Sequence, residues 1–563
     1  MKYINSIIAL VNYKKYFLPI VPILYIILTV IELAGFSLAL PFIHRMFGNV
    51  NIENNFINFL NFSYDLDINL LGLVIILIFF LKSFLTFFLL RFVLSYCFKQ
   101  GIKLRLKIYE IYQNLDFSDL KSIKSSELIY NLTSAIEYYF REVLQSFIKI
   151  IGDSILIISL FTFLLILNSS LFFALFFFIL IIGFAYSNFY ARKLKTYGIK
   201  VNESFNNIIK FAEETVSSLS EIRVIKAESF LNNKINKASL QHFNFSLKSE
   251  LIANYPRIFI DSILIAFLIL STIFLRQIID DASEIIAILS IFAVVLIRCI
   301  PLINSLFQSF ALLRLRFDVV TLLTKIVKLE QKAKKEKQSL LSIKINKFIE
   351  LKNIFFSYEE NNHVLKNICI NINKNDKVAI IGKSGSGKTT LINIIMGLQR
   401  FTIGQIVIDG KRVNQSSRYL IENCGYLSQN TFLINDTLIN NIILNQKFDE
   451  KKFNQAVNFA SLKTFFDKSK NFHSLKIGDD GLNLSTGEKQ RIGMARLFYN
   501  NPEIIIMDEP FASIDKNTSL EIIENIKNSW NKKTIIIITH QDFFNFMFDK
   551  TFSIENGTIK KND

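Results

Sequence analysis

The strongest chemical pattern in the sequence is a glycine-rich run, Gly382-Lys383-Ser384-Gly385-Ser386-Gly387-Lys388-Thr389, which follows the apolar stretch VAII. Glycines at this spacing let backbone N–H groups close around phosphates, as in loops of the type GxxxxGK[ST]. Lys388 can then reach the β- and γ-phosphates, and the Thr389 hydroxyl can bind Mg²⁺. The strand, loop and helix context predicts an ATP site formed by this run and Thr390.

Two adjacent carboxylates end a second apolar run, Ile504-Ile505-Ile506-Met507-Asp508-Glu509. Side chains alternate along a strand, so the two acids can serve different tasks. Asp508 suits Mg²⁺ through its water shell, and Glu509 can polarise an attacking water. Carboxylates at a strand end can also be ordinary solvated residues. Their combination with the phosphate loop favours ATP hydrolysis.

The run Leu484-Ser485-Thr486-Gly487-Glu488-Lys489-Gln490-Arg491 resembles the signature sequence of the ATP-binding-cassette (ABC) transporters. That signature usually has Gly where Thr486 stands and Gln where Glu488 stands. Ser485 and Gly487 are retained, and the resemblance implies that their hydroxyl and N–H contact a γ-phosphate. Thr486 and Glu488 belong to the same predicted nucleotide-binding segment.

Further motifs of the family follow in the expected order, and the resemblance covers 348–563. It implies that Tyr358 stacks on adenine, that Gln429 belongs to the Q-loop, and that His540 contacts the γ-phosphate. Taken alone, Tyr358 and His540 would be ordinary packing residues. The resemblance implies an ATPase that uses ATP and Mg²⁺. The implied catalytic residues are Glu509, His540 and Gln429, and the implied metal-binding residues are Thr389, Gln429 and Asp508.

The elements that must position this chemistry differ between the two halves of the chain. Short β-rich runs at 377–382, 503–508 and 534–540 alternate with helix-like stretches, which predicts a parallel sheet wrapped by helices. The N-terminal half is strongly apolar, in a chain that is 51% hydrophobic and has 56 Phe residues. Because about 20 apolar residues span a bilayer core, six stretches predict membrane helices. They are 17–42, 70–95, 143–167, 171–190, 257–276 and 283–308.

The predicted architecture is therefore a multi-pass α-helical membrane domain of the type I ABC exporter kind, followed by an α/β P-loop NTPase domain. We predict a membrane domain at 1–330, a linker at 331–347 and an ABC nucleotide-binding domain at 348–563. The net charge of +17 could indicate nucleic-acid binding. Basic residues beside membrane helices explain the charge better, so no nucleic-acid partner is expected.

Basic residues also predict the orientation of the membrane helices. They are concentrated in the polar connections after the second and fourth spans, which predicts helical extensions into the cytoplasm. The N-terminal residues could be a signal peptide, but the apolar run is too long and further spans follow. We predict a bacterial inner-membrane protein with both termini in the cytoplasm.

Fusion of six spans to one cassette resembles the exporter branch of the family. In the family the signature caps ATP bound to the partner subunit, so a single cassette implies a pair of chains. A homodimer is the simplest completion, and a heterodimer with another chain stays open.

Ionisable side chains inside the predicted spans are costly and need a partner or a function. The five are Glu32, Lys82, Asp153, Asp261 and Arg298. They could pair with one another or lie at wetter depths. Arg298, deep in the sixth span, could instead face a central cavity and attract an anionic substrate.

Segments around Arg298 (LIRCIPLIN) and in the first span (IELAGFSLALPFI) resemble bacterial lipid-linked oligosaccharide flippases of protein N-glycosylation. The resemblance implies ATP-driven export or flipping of an amphipathic substrate, a lipid-linked oligosaccharide or another (pyro)phospholipid. A peptide or hydrophobic-compound exporter is the alternative, followed by a nucleotide-gated channel or sensor. An apolar helical face at 52–60 predicts either contact with membrane lipids or packing on helix ends.

Overall fold

The structure is a computed structural model that describes residues 2–11, 17–47, 67–167, 169–277, 282–331, 345–358, 363–413, 423–463, 476–477, 484–540 and 548–562. The chain divides into two compact units. One comprises Met1–Gln113 and Ile123–Glu330, and the other comprises Asn114–Ser122 and Gln331–Asp563. The predicted helix at 52–60 and most of the predicted linker at 331–347 lie outside the described residues.

The N-terminal half consists of helices, several of them far longer than a bilayer requires. They are α1 (Lys2–Leu10), α2 (Phe17–Phe47), α3 (Ile68–Asn114), α4 (Phe117–Lys121), α5 (Ser125–Leu132), α6 (Ser134–Tyr138), a π-helical turn (Tyr139–Leu144), α7 (Gln145–Leu167), α8 (Ser169–Ser217), α9 (Leu219–Val224), α10 (Glu228–Leu275), α11 (Ala282–Leu315) and α12 (Phe317–Lys328). The short α4 belongs to the second unit, where Arg400 Nε donates to Asp116 Oδ2 at 2.7 Å.

Length and composition make five helical stretches of the described residues suitable for crossing a membrane. They are Ile20–Leu38, Ile68–Asn114, Ser125–Ile166, Glu228–Leu275 and Phe292–Leu315. Helix α8 covers the fourth predicted span, 171–190, and is not among these five. With 49 residues it is about 70 Å long, more than twice the thickness of a bilayer core. The continuous helices α3, α8 and α10 are long enough to extend beyond a bilayer core, as the predicted helical extensions require.

A shared apolar core joins α7, α8, α10 and α11. Leu164, Leu175, Ile260 and Phe292 are almost completely buried in it. Many other large apolar side chains of the same unit are exposed, with Phe80 72% accessible. In a soluble protein such a surface would be a liability, whereas in a membrane it faces lipid.

A buried polar network lies where α11 meets α12. Arg316 donates from Nε and Nη2 to the two carboxylate oxygens of Glu142 at 2.7 and 3.1 Å, and from Nη1 to Asn202 Oδ1 at 3.2 Å. Asn202 Nδ2 in turn donates to Asp318 Oδ2 at 2.7 Å. Because Glu142 lies on the π-helical turn and Asn202 on α8, the network fixes three segments around one guanidinium.

The second unit contains two sheets. Its strands are β1 (Phe348–Ser357), β2 (His363–Asn373), β3 (Lys377–Gly382), β4 (Ile403–Ile408), β5 (Lys411–Arg412), β6 (Cys424–Leu427), β7 (Ile504–Asp508), β8 (Thr534–Ile538), β9 (Lys550–Glu555) and β10 (Thr558–Asn562). The larger sheet has the order β10-β9-β3-β8-β7-β6, and all of its pairings are parallel except β9 with β10. The smaller sheet, β2-β1-β4-β5, is antiparallel.

The central strands β7 and β8 supply both hydrophobic cores of this unit. Ile505 and Met507 pack on one face, and Ile504 and Ile506 pack on the other. Alternation of side chains along a strand produces this division, and it explains why both strands are uninterrupted apolar runs. Helices flank the sheet: α13 (Lys388–Ile395), α14 (Leu438–Ile443), α15 (Glu450–Phe459), α16 (Thr486–Asn500) and α17 (Lys516–Ser529).

The Asp409 side chain holds the start of β1 in place by hydrogen bonds to its backbone. Its carboxylate accepts N–H bonds from Asn346, Lys347 and Phe348 at 2.7, 2.7 and 2.9 Å. Burial alone would raise the pKa of this carboxyl, but the three N–H donors outweigh it and hold the pKa below its usual range.

We therefore expect Asp409→Ala to lower the free energy of unfolding of the second unit by about 1 kcal/mol at neutral pH. A carboxylate with a depressed pKa stabilises the fold above its unfolded-state pKa and stops doing so as pH falls through the folded pKa. The difference from wild type should accordingly shrink below about pH 4. Thermal unfolding of both proteins across this pH range measures it, and a pH-independent difference would contradict the assignment.

Candidate functional site

The predicted phosphate loop lies between β3 and α13. Gly382 ends β3, and Gly387 is the N-cap of α13 with a φ of 102°. The positive φ favours glycine at this position, and a Cβ there would also displace the Leu365 side chain, whose Cδ2 would lie 2.8 Å away. The loop thus presents the N-terminus of α13, whose free N–H groups favour anions.

Lys388 reaches back across this loop. Its Nζ donates to the carbonyl oxygens of Gly382 and Lys383 at 2.7 and 2.9 Å, and lies 3.2 Å from His540 Nε2. Burial lowers the pKa of Lys388, while the nearby carboxylates of Glu509 and Asp508 oppose that change. The ammonium group is therefore held over the loop by two carbonyl groups that phosphate oxygens can replace.

Asp508 and Thr389 face each other at the carboxyl edge of the larger sheet. The Thr389 hydroxyl donates to Asp508 Oδ2 at 3.0 Å. Burial raises the pKa of Asp508, and the Thr389 hydrogen bond opposes that shift. A hydroxyl and a carboxylate in contact, beside an anion-binding loop, fit Mg²⁺, which prefers a few protein oxygens together with phosphates and waters.

Glu509 lies at the centre of the predicted catalytic set. Its Oε2 accepts a bond from Gln429 Nε2 at 2.9 Å, and its Oε1 is 3.1 Å from His540 Nε2. The structure thus brings together the side chains predicted to be catalytic, from the segments that follow β6, β7 and β8.

The backbone of Glu509 is in the left-handed region, with a φ of 50°. For a residue other than glycine, this conformation costs about 1 kcal/mol of conformational free energy. Its N–H donates to Ile538 O at 2.9 Å, and this bond holds the turn that follows β7. Such strain is typical of functional positions.

Tyr358 has an exposed ring beside the helix that follows the loop. Its hydroxyl lies 3.1 Å from Thr390 Oγ1, and its ring meets Phe356 edge-on at 4.8 Å. The Lys121 ammonium group lies over this ring, 5.5 Å from its centroid, and the ring is otherwise exposed. An exposed aromatic ring can stack on a planar base.

The signature segment begins α16. Ser485 is the N-cap, and a capping box joins it to Glu488: Glu488 N–H donates to Ser485 Oγ at 3.3 Å, and Ser485 N–H donates to the Glu488 carboxylate at 2.7 Å. Thr486 is the first helical residue, and a Cβ at Gly487 would lie 2.5 Å from Ser513 O. Among the described residues no hydrogen bond joins 485–488 to the phosphate loop.

Gln490 is a residue that the sequence patterns did not single out. It is almost fully buried, and its Nε2 donates to the carbonyl oxygens of Glu509 and Gln429 at 3.2 and 3.4 Å. It positions the backbone on both sides of the catalytic set. Its only signal in the sequence is its location in the signature helix.

In the membrane half, Arg298 forms a charge cluster with Glu32 and Lys82. Arg298 Nε and Lys82 Nζ each lie 2.5 Å from Glu32 Oε1. The alternative that the intramembrane charges pair with one another is confirmed for these three residues. Asp153 accepts a hydrogen bond from Ser305, and the side chain of Asp261 is outside the described residues.

The cluster has one positive charge in excess. Glu32 is 1% exposed, whereas the Arg298 side chain is 38% exposed. The terminal guanidinium nitrogens of Arg298 have no hydrogen-bond partner in the part of the chain that the structure describes. Arg298 can therefore take an additional anionic ligand while its Nε stays bound to Glu32.

Comparison with known proteins gives a consistent result along the chain. Residues 22–299 match the family model of the ABC transporter transmembrane region, and residues 365–512 match that of the ABC transporter. The chain is 29% identical over 360 residues to "Multidrug resistance-like ATP-binding protein MdlB" of Buchnera aphidicola subsp. Schizaphis graminum, covering 63% of this chain and 60% of the relative.

Two further relatives have other names. "ATP-dependent lipid A-core flippase" of Syntrophus aciditrophicus is 28% identical, covering 62% of this chain and 59% of the relative. "Heterocyst differentiation ATP-binding protein HepA" of Nostoc sp. is 27% identical, covering 81% and 75%. The chain spans less than two thirds of the length of the first two relatives.

The fold also matches a solved structure, "Structure of a bacterial Atm1-family ABC exporter with ATP bound", with a TM-score of 0.78. The match covers 97% of this chain and 94% of that chain at 17% identity. The two family models together match most of the sequence, in the order membrane region then cassette. The chain therefore belongs to the ABC transporter family, and it has the type I exporter fold, a multi-pass helical membrane region fused to an ATP-binding cassette.

Proposed function

We propose that this chain hydrolyses ATP to export or flip an amphipathic substrate across a bacterial inner membrane, with its cassette in the cytoplasm. The observation that carries the proposal is the convergence of Lys388, Asp508, Glu509 and His540 beside the phosphate loop. A site that only bound nucleotide would need the loop and its lysine. The additional carboxylate and imidazole supply a base and a γ-phosphate contact, and both are needed for turnover.

Each side chain of the site has a role in this reaction. Lys388 binds the β- and γ-phosphates, and Glu509 orients and polarises the attacking water, held by Gln429 and His540. Thr389, Asp508 and Gln429 would hold Mg²⁺, which when bound neutralises phosphate charge. Tyr358 stacks on adenine, and Ser384, Gly385 and Ser386 contribute loop contacts to the phosphates.

Two copies of the chain complete the ATP sites in this proposal. Ser485, Thr486, Gly487 and Glu488 begin a helix that makes no hydrogen bond to the phosphate loop of the same chain within the described residues. A second copy would place this segment on the γ-phosphate. Because this chain contains one copy of each motif, a homodimer supplies two equivalent sites.

For the substrate we infer an amphipathic lipid with an anionic phosphate or pyrophosphate head, such as a lipid-linked oligosaccharide. Arg298 supports this, because burying a phosphate without a counter-charge is prohibitive. The name of the Syntrophus aciditrophicus relative, a lipid flippase, supports a lipid substrate. The relatives with multidrug names support a hydrophobic compound as the second candidate.

Translocation of a pyrophosphate-linked glycolipid in proteoliposomes tests the proposal. We expect ATP-dependent translocation by the wild-type protein and none by Arg298→Met, while basal ATPase activity persists. Lys82 still pairs with Glu32 in that variant, so no buried carboxylate is left without a cation.

Arg276→Met is the matched control, because this arginine follows the end of α10 and lies outside the cluster. It should translocate like wild type. Translocation by Arg298→Met at the wild-type rate would exclude a cargo role for Arg298. A wild-type protein that moves hydrophobic compounds but no phospholipid would leave the exporter proposal standing and favour the second candidate.

A further inference from the structure

A cavity of about 590 Å³ lies between α7, α8 and α11, separate from the charge cluster around Arg298. Its walls are almost entirely apolar and include Phe161, Leu180, Phe184 and Phe307. The volume is in the range of sites that bind small organic molecules. Two of its lining residues, Phe184 and Phe310, are strongly exposed, so the cavity is open at an apolar part of the surface.

Two polar groups interrupt this lining. The hydroxyl of Tyr186 is buried without a hydrogen-bond partner, while its ring packs edge-on against Phe307 at 5.3 Å. Arg314, in the last turn of α11, is exposed and makes no ion pair among the described residues. A buried unpaired hydroxyl costs free energy, and an exposed guanidinium at the membrane boundary attracts the phosphates of anionic lipids. Both groups are suited to bind a ligand that supplies oxygen acceptors.

The arrangement along α11 fits a molecule with one apolar and one anionic end. From Ile303 to Arg314 the helix rises about 16 Å, and within this stretch Arg314 is the only cation. Chain continuity into α12 and the predicted topology put this turn at the cytoplasmic surface, where the leaflet contains anionic lipids. A second copy of the chain could also cover an apolar groove. It would not by itself supply hydrogen-bond acceptors to the Tyr186 hydroxyl and an anion to the Arg314 guanidinium.

We propose that this cavity is a binding site for one acidic glycerophospholipid of the cytoplasmic leaflet. An acyl chain lies between α7, α8 and α11, Tyr186 donates to an ester or glycerol oxygen, and Arg314 binds the phosphate. The proposal requires residence in the membrane and is independent of the transport reaction.

Native mass spectrometry of the delipidated full-length protein tests this site. The protein is titrated in parallel with dioleoyl phosphatidylglycerol and dioleoyl phosphatidylcholine, without nucleotide. We expect wild type to bind one phosphatidylglycerol more tightly than phosphatidylcholine. Arg314→Met should weaken phosphatidylglycerol binding about tenfold and remove the preference, and Arg314→Lys should restore part of it.

Gly183→Leu tests the apolar part of the site. Gly183 lines the cavity, and a Cβ there meets no atom within 4 Å, so the backbone leaves room for a side chain that would occupy the cavity. This variant should lose binding of both lipids while unfolding at the wild-type temperature. Arg192→Met, an exposed α8 arginine outside the lining, is the charge control and should bind like wild type.

Several outcomes would overturn the proposal. Equal binding of the two lipids by wild type would exclude the headgroup contact. Unchanged phosphatidylglycerol binding in both Arg314→Met and Gly183→Leu would place the lipid elsewhere. If delipidated wild type takes up no phospholipid, a second copy of the chain or nothing fills the cavity. Because nucleotide is absent, none of these outcomes bears on ATP hydrolysis or export.

Discussion

Glu509→Gln should bind ATP as wild type does and hydrolyse it at least about 100-fold more slowly. The amide keeps the size of the side chain and can still contact Gln429 and His540, so the site stays assembled. It cannot accept the proton of an attacking water. Steady-state ATPase activity and equilibrium nucleotide binding on the same preparation separate the two effects.

Two other variants show whether the loss of hydrolysis is specific to the Glu509 carboxylate. Glu503→Gln changes an exposed carboxylate just before the opposite end of β7 and should leave turnover unchanged. Lys388→Ala should weaken ATP binding itself, because it removes the ammonium group held over the loop. Hydrolysis near the wild-type rate by Glu509→Gln would show that another group is the base.

Mixing two inactive chains should restore activity if each ATP site is shared between two copies. One chain has Lys388→Ala and the other has Ser485→Asp. Aspartate is also a good N-cap, so α16 should fold normally, while its carboxylate repels a γ-phosphate. A heterodimer then has both lesions in one site and none in the other. We expect up to about half of wild-type turnover from verified heterodimers and almost none from either parent.

Tagging the two chains differently isolates the heterodimer for the ATPase measurement. A second measurement counts the nucleotides trapped with vanadate, and one per heterodimer is expected. Heterodimers that neither turn over ATP nor trap a nucleotide would contradict the shared site. Activity in either parent alone would show that the signature segment is not needed.

The helices and strands that could be predicted are those whose sequence is a run of one residue type, apolar or β-branched. Apolar runs of 20 or more residues indicated the membrane helices, and short β-branched runs indicated β3, β7 and β8. The antiparallel sheet β2-β1-β4-β5 was not predicted. Its strands are polar on the exposed face, and its pairing of β1 with β4 is determined by tertiary packing, which no local pattern encodes.

In the candidate site, too, some residues could be predicted from the sequence and others could not. The proposed phosphate-binding residues follow from local spacing, because they lie within one run of eight residues and the threonine after it. Contacts across large sequence separations could not be predicted: Glu32 and Arg298 are 266 positions apart, and their pairing depends on how α2 and α11 pack. Gln490 was missed for a related reason, since its partners are backbone carbonyl groups, which any residue type provides.

The left-handed backbone of Glu509 has a consequence for protein engineering. Glycine adopts this conformation without the steric cost that a Cβ imposes, so replacing Glu509 with glycine would relieve strain at the end of β7. The same change would remove the group that we assign as the base. A selection for heat resistance alone would therefore favour loss of the catalytic carboxylate, and any such selection on this chain has to retain a screen for ATP turnover.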